Sequence, residues 1–314
     1  MEADEAPLER TSHGFHIPGT SIYIDPKEPV ACAIISHAHG DHAIPGHDTV
    51  YCTYQTAKLL RARFQNFAFK IVTPQWQEVF QIEGINFRFA SAGHMLGSAQ
   101  VVWERNNITT VYTGDYKRQL DESCDPFDVV VCDNFITETT FAQPGKIHPP
   151  PADCLLALKD FPSTNFVIGA YSLGKAQRLT LLFNQFIPEF NVMVHPKIVK
   201  YHKIYEEAGF NLGKWAPFQR QVFRKEKGNI FLVPPPVLQN YTPSENYLRG
   251  MTSGWEHLQQ GYELNLPISD HADWNELLQT ITDSKAKKIF TVHGDDEQLK
   301  NYLSSNNILV DSII

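Results

Sequence analysis

No apolar run in this chain of 314 residues approaches the length of a membrane span, so an integral membrane protein is excluded. Cysteine is scarce and odd in number. Cys32, Cys52, Cys124, Cys132 and Cys154 form no C-x-x-C pair, which argues against a disulfide framework and suits a reducing cytoplasm. Metal ligation, if there is any, must therefore come from His and Asp. The opening Met1-Glu2-Ala3-Asp4-Glu5 is acidic and lacks an apolar core, so no secretory signal is expected. Positive charge is also in short supply: 27 Lys and Arg stand against 35 Asp and Glu, a net charge of −8. That balance disfavours nonspecific nucleic-acid binding by the whole surface but leaves room for a local basic groove. At 42% hydrophobic and 20% charged, the chain is globular and long enough for two ordinary domains.

What is present is histidine, concentrated where packing alone gives no reason for it. Ser36-His37-Ala38-His39-Gly40-Asp41-His42 follows Ala31-Cys32-Ala33-Ile34-Ile35, an apolar run that reads as a buried strand. Imidazole and carboxylate hold zinc and similar divalent cations. His37 and His39 alternate and can reach one ion, while Asp41 and His42 can face a second. Gly40 lets the backbone bend between the pairs.

Beyond this loop the first part of the chain is a series of short strands, each ending in a ligand-type residue. Ser21 to Asp25 alternates as a strand closed by Pro26, and Gln55 to Gln65 has helical spacing. Strands are expected over Phe67 to Thr73, Glu78 to Gln81, Ile85 to Ala90, Gln100 to Arg105, Ile108 to Thr113 and Asp128 to Cys132. His94, Asp115 and Glu138 follow at or near their ends. The texture changes at Pro144-Gly145-Lys146-Ile147-His148-Pro149-Pro150-Pro151. From there, strands near Phe166 to Ala170, Asn191 to Val194 and Asn229 to Val233 alternate with helices. Those helices are expected near Asp153 to Lys159, Lys175 to Phe186 and Ile198 to Ala208, a pattern that predicts a small parallel sheet. After Pro236 the chain reads as polar and irregular. From Tyr262 the earlier style returns, with His271, a helix over Asn275 to Ile281, the strand Lys288 to Val292 ending at His293, and a last helix near Asp296. Residues 146–262 are thus expected to be inserted between 1–145 and 263–314.

The assembled ligand candidates are His37, His39, Asp41, His42, His94, Asp115 and His293. Such a set suits two divalent ions roughly 3.5–4 Å apart, zinc first and manganese second, with a hydroxide between them as nucleophile. His271, without an obvious ligand role, is the candidate proton donor, and Glu138 can orient and charge it. Asp41, His271 and Glu138 form the catalytic set. Expected nucleic-acid contacts are Lys117 and Arg118, then Ser172 and Lys175 in Gly169-Ala170-Tyr171-Ser172-Leu173-Gly174-Lys175. That loop could hold phosphate or simply cap a helix. Arg220, Arg224 and Lys225 complete the contacts, within a basic stretch running from Lys197 to Lys227.

His37-Ala38-His39-Gly40-Asp41-His42 with His94 and Asp115 resembles the signature of the metallo-β-lactamase fold. Glu138 in Thr137-Glu138-Thr139-Thr140-Phe141, His271 in Ser269-Asp270-His271-Ala272-Asp273 and His293 in Val292-His293-Gly294 resemble the three extra motifs of the β-CASP nucleases. Leu173-Gly174-Lys175-Ala176-Gln177 resembles the start of a helix in their inserted domain. Tyr23-Ile24-Asp25-Pro26 and Gly114-Asp115-Tyr116-Lys117-Arg118 look most like the bacterial ligase-associated DNA exonucleases. The resemblance implies an α/β fold, an αββα sandwich carrying an inserted β-CASP domain. It implies one ion on His37, His39 and His94, another on Asp41, His42 and His293, and Asp115 bridging them. It also implies a DNA-repair exonuclease acting on DNA, in functional association with a DNA ligase. His293 at the third extra motif is the family's RNA-type residue, so an RNA-processing ribonuclease is the alternative. The chain's end at Ile314, with no room for an added RNA-binding module, is read as favouring DNA. Weaker rivals are a small-molecule metallo-hydrolase, which lacks the insert and the Glu138/His271 pair, and a nonenzymatic scaffold subunit, which should have lost ligands.

Overall fold

The structure is a computed structural model that describes residues 6–305, 308 and 310–313; the acidic start, residues 1–5, lies outside the described residues. The chain divides into two compact units, the first made of Met1–Leu120, Cys124–Ile147 and His271–Ile314, the second of Asp121–Ser123 and His148–Asp270.

The first unit is built on two sheets. One has the order Glu9–Thr11, Gly14–His16, Ile22–Ile24, Cys32–Ile34, His47–Tyr51, Ala68–Val72. The other runs Val310–Ser312, Lys288–Gly294, Asn134–Thr139, Ile108–Tyr112, Ala99–Arg105, Ile85–Ser91, Phe80–Ile82. Alternation of period two decides what each face packs against. Val101, Trp103, Tyr112, Ile136 and Phe290 turn inward and meet Ile22, Ile24 and Ile34 of the first sheet. Their neighbours Val102, Val111, Phe135 and Ile289 turn outward, under Trp274, Leu277 and Ile281 of the helix Trp274–Ser284 and Leu299 and Leu303 of Glu297–Ser305. The first sheet's half carries the helix Tyr54–Arg63, which buries Ala57, Leu59 and Leu60. This is the αββα sandwich that the resemblance implies.

The second unit has one wholly parallel sheet, ordered Ala216–Pro217, Asn191–Val194, Asn229–Val233, Asn165–Gly169, Tyr247–Thr252, Leu264–Leu266. Its central strands Asn165–Gly169 and Asn229–Val233 are buried at every residue, as strands covered on both faces must be. One apolar cluster lies on each side of it.

Three expectations need correction. Asp128 to Cys132 is extended but unpaired. Val130 and Cys132 are buried while Val129 and Val131 are exposed, and the backbone bonds at Asp128 and Cys132 go singly to Ser91 and Ser284. The strand lies further on, at Asn134–Thr139, because it is there that parallel ladders form on both sides. The segment after Pro236 is not irregular. Tyr247–Thr252 is a strand whose apolar pattern is broken by Arg249, paired with Glu263, and by Gly250, where a Cβ would meet Leu266 at 2.9 Å. The return to the first unit comes at His271 rather than at residue 263, because Leu264–Leu266 pairs with Tyr247–Thr252.

Candidate metal centre and hydrolytic site

The site is assembled wholly within the first unit, at the ends of strands. Where Cys32–Ile34 stops, the backbone is seized by Asp25, itself at a left-handed φ of +47°. Its carboxylate accepts from Ser36 N at 2.7 Å, Ser36 Oγ at 2.6 Å and His42 Nδ1 at 2.7 Å. The His42 and Ala43 amides then return to the His39 carbonyl, coiling the loop so that three imidazoles converge. His94 arrives on a loop held by Lys117, whose ammonium donates to Gly93 O at 2.6 Å and His94 O at 2.9 Å. Gly93 has to be glycine there: its φ is +67°, and a Cβ would stand 2.6 Å from Lys117 O. Glu138 and His293 sit where the pairing of Asn134–Thr139 with Lys288–Gly294 slips by one residue. Gly294, at φ +121°, permits that slip, since a Cβ would lie 2.5 Å from Thr139 O.

Three donor groups result. Ligand-type atoms of His37, His39, His94 and Asp115 lie within 4.8 Å of one another, as do those of Asp41, His42 and Asp115, and those of Asp115, Glu138 and His271. Asp115 is common to all three. Its two oxygens face different imidazoles: Oδ2 is 3.5 Å from His37 Nε2 and 3.9 Å from His94 Nε2, while Oδ1 is 3.4 Å from His42 Nε2. His293 falls outside these groups. Its ring centre is 5.0 Å from that of His42, and its Nε2 meets the Tyr112 hydroxyl at 3.2 Å.

The electrostatics favour a cation. Burial, then neighbouring His42, holds His37 well below the usual imidazole range, and the same two causes bring His293 down to about 4. Both therefore present neutral nitrogen at pH 7. Burial alone would raise Asp115, but His42 and His271 beside it hold it well below the carboxylate range. His42 resists burial because Asp115 and Asp25 flank it, which raises it well above 6.5. A cation binding there must displace that proton. The sharpest test of fit is His37 Nε2, which is buried and has no hydrogen-bond partner. An orphaned buried nitrogen costs stability unless a cation takes its lone pair. The donor set fits divalent metal, with nitrogen and oxygen in the mixture that zinc-type ions accept.

The Glu138/His271 pair is formed. His271 Nδ1 lies 2.8 Å from Glu138 Oε2, and Glu138 Oε1 accepts from Tyr116 N at 2.7 Å. Glu138 is buried, while the His271 side chain is 26% exposed and so open to a substrate.

The expected nucleic-acid contacts divide. Lys117 is corrected: it is buried, and its ammonium is engaged by the His94 loop. Lys175 is corrected on the same ground, donating to Ile268 O at 2.7 Å and pairing with Asp270 at 3.0 Å. The loop before it serves its own helix. Gly174 N is taken by Gln177 Oε1 at 2.8 Å, and the Ser172 carbonyl accepts from Gln177 Nε2 at 3.0 Å. Arg118 is paired with Asp283 at 2.8 Å at the edge of solvent. Arg220, Arg224 and Lys225 are exposed on the short helix Arg220–Lys225.

Sequence reasoning passed over Asp25 and Tyr112 as site residues. Asp25, an acidic residue just before Pro26 and just after an alternating strand, carried some signal. Tyr112, one of a run of β-formers, carried none.

Comparison with known proteins agrees with this geometry. Residues 15–168 match the family model described as a beta-lactamase superfamily domain, and residues 265–307 match the Zn-dependent metallo-hydrolase RNA specificity domain. A "Probable DNA ligase" of Opitutus terrae is 29% identical over 298 residues, which is 90% of this chain and 29% of that protein. An "RNase J-like protein" of Methanocaldococcus jannaschii is 31% identical over 50% of this chain and 44% of its own length. The "5′ exonuclease Apollo" of Danio rerio is 26% identical over 55% of this chain and 34% of its own. This chain therefore spans less than half the length of these curated relatives. A crystal structure of a protein of unknown function from Enterococcus faecalis shares the fold, with a TM-score of 0.60 at 13% identity, covering 97% of this chain and 83% of that one. Among the described residues no helix is long and apolar enough to cross a membrane. With a sandwich of this topology, a His/Asp cluster at its strand ends and family matches over residues 15–168 and 265–307, the chain belongs to the metallo-β-lactamase-fold β-CASP family.

Proposed function

We propose that this protein hydrolyses phosphodiester bonds of DNA from an end, as a metal-dependent exonuclease in DNA repair. The observation that carries the reading is the Glu138–His271 contact of 2.8 Å set beside the Asp115 cluster. In this reading His37, His39 and His94 hold one divalent ion, Asp41, His42 and His293 hold another, and Asp115 serves both. Zinc suits the nitrogen-rich set, and manganese suits the carboxylates. Bound there, the ions supply Lewis acidity and a water of lowered pKa. Glu138, fixed by Tyr116 N, keeps the hydrogen of His271 on Nδ1 and favours the imidazolium. His271 then gives its other proton to the departing oxygen. Asp41, the most exposed of the cluster with its side chain 75% accessible, is placed to meet incoming water. Arg220, Arg224 and Lys225 are the exposed basic residues that contact phosphate in this reading.

DNA is supported by relatives whose names are DNA ligase and 5′ exonuclease, and the first of these names is what supports a functional association with a ligase. A second reading, RNA cleavage, is favoured by the RNA specificity domain matched at residues 265–307, by the RNase J-like relative and by His293. All five cysteines are free, which supports a reducing, cytoplasmic setting.

Matched DNA and RNA strands, single and duplex, labelled at either end and with or without a 5′ phosphate, test the proposal in one assay. Mononucleotides released first from one end of DNA are expected. Faster loss of the RNA strands would replace DNA with RNA, and internal fragments appearing first would replace exonuclease with endonuclease.

A further inference from the structure

The hydroxyl of Tyr112 joins two residues that lie far apart in sequence. It stands 3.1 Å from Asp25 Oδ2 and 3.2 Å from His293 Nε2, on a side chain that is wholly buried. Asp25 receives Ser36 N, Ser36 Oγ and His42 Nδ1 as well. A carboxylate so surrounded only accepts, so His42 Nδ1 and Tyr112 must both donate to it. Tyrosine has a single proton, which is thereby committed to Asp25. Its oxygen is left to accept, and the contact with His293 requires the hydrogen of that imidazole to sit on Nε2. The lone pair of His293 is then on Nδ1.

His293 needs such a hold. Its φ is +54°, uncommon for a residue with a side chain, and it follows a slip in strand register. Phe15 packs edge-on against the ring at 5.4 Å and limits its tilt. An edge-on ring contact leaves the tautomer open, whereas a directional bond to Nε2 fixes it.

We propose that Tyr112 is a positioning residue that sets the tautomer and orientation of His293 as a donor to the second ion and ties it through Asp25 to His42. The proposal rests on the two-ion reading above. Tyr112→Phe deletes one oxygen and keeps the ring. The full chain, stripped of metal and titrated with zinc alone against a chelating indicator, is expected to take two ions. The variant should hold the first unchanged and the second about 10- to 100-fold more weakly, the range for removing the outer partner of a metal-bound histidine. A merely structural hydroxyl would weaken both steps together. Equal weakening of both, or none, overturns the proposal. Wild-type protein that takes a single ion sinks the two-ion reading itself and the proposal with it, so the two failures are told apart. Nitrogen-15 NMR of the imidazoles in metal-free protein gives a second readout. Hydrogen on Nε2 of His293 is expected in the wild type and a tautomer mixture in Tyr112→Phe; hydrogen on Nδ1 in the wild type overturns the bonding scheme.

Discussion

Glu138 is buried with both oxygens occupied, by Tyr116 N on one side and by His271 Nδ1 and the Thr140 hydroxyl on the other. Such a group is built to orient a neighbour rather than to react. His271→Ala is therefore expected to lower turnover by about 100-fold or more, the range for losing a general acid, while metal content by elemental analysis stays at the wild-type value. Glu138→Gln keeps the shape but loses the charge, and should cost about tenfold with metal retained. Loss of an ion from His271→Ala would make His271 a ligand instead. Asp115→Ala is the contrasting case, because this carboxylate belongs to all three donor groups. It should lower metal content as well as turnover, and full metal retention would remove Asp115 from the centre. At this scale the ligand-type residues were legible, since His and Asp at strand ends have no packing reason to be there. Tyr112 and Lys117 were not. A buried tyrosine hydroxyl or lysine ammonium acts through a partner distant in sequence, and local pattern holds no trace of that partner.

Among the elements, Lys175–Phe186 and Asn229–Val233 were readable to the residue because propensity, burial and breakers agree there. The strand Tyr247–Thr252 was hidden because Arg249 is buried by a pairing with Glu263 that sequence does not show. The short helix Arg220–Lys225 carries the three basic residues proposed to contact phosphate. Arg220, Arg224 and Lys225 are exposed, whereas Lys117 and Lys175 proved to be structural. Reversing all three charges should weaken DNA binding and reduce the slope of log affinity against log salt by about 2 to 3, since each lost phosphate contact releases roughly one counterion fewer. Binding measured between low and physiological salt checks this, and an unchanged slope would return the helix to an ordinary solvated face.

Across the whole molecule, the two units carry separate apolar clusters, and acid should act on each through different groups. The insertion was foreseeable from the change of texture near Pro144. The later crossing was not, because the segment Leu264–Leu266 looks like the first unit's short strands but pairs in the second unit's sheet. In that second unit His202 is wholly buried between two side chains of the helix Lys175–Phe186, with Nδ1 3.0 Å from Gln177 Nε2 and Nε2 2.8 Å from Thr180 Oγ1. The Gln177 amide donates and Gln177 Oε1 is already occupied by Gly174 N, so Nδ1 must remain an acceptor. Burial, opposed only weakly by a backbone bond at Ile198, lowers the imidazole to about 3. The unfolded chain takes up this proton near pH 6.5 and the folded unit near pH 3. Between those values the unfolded state binds more protons, so stability falls as pH drops through that window. The full loss is about 5 kcal/mol, reached only at the acid end. His202→Gln offers a donor and an acceptor without a titrating nitrogen. Thermal unfolding of both proteins at pH 7, 6, 5 and 4 should show the wild type losing more of its midpoint than the variant at each step down. Carboxylates of the first unit titrate equally in both proteins, so they cancel in the difference. Parallel curves would mean that His202 admits a proton without cost, and that the Gln177 cap can turn to receive it.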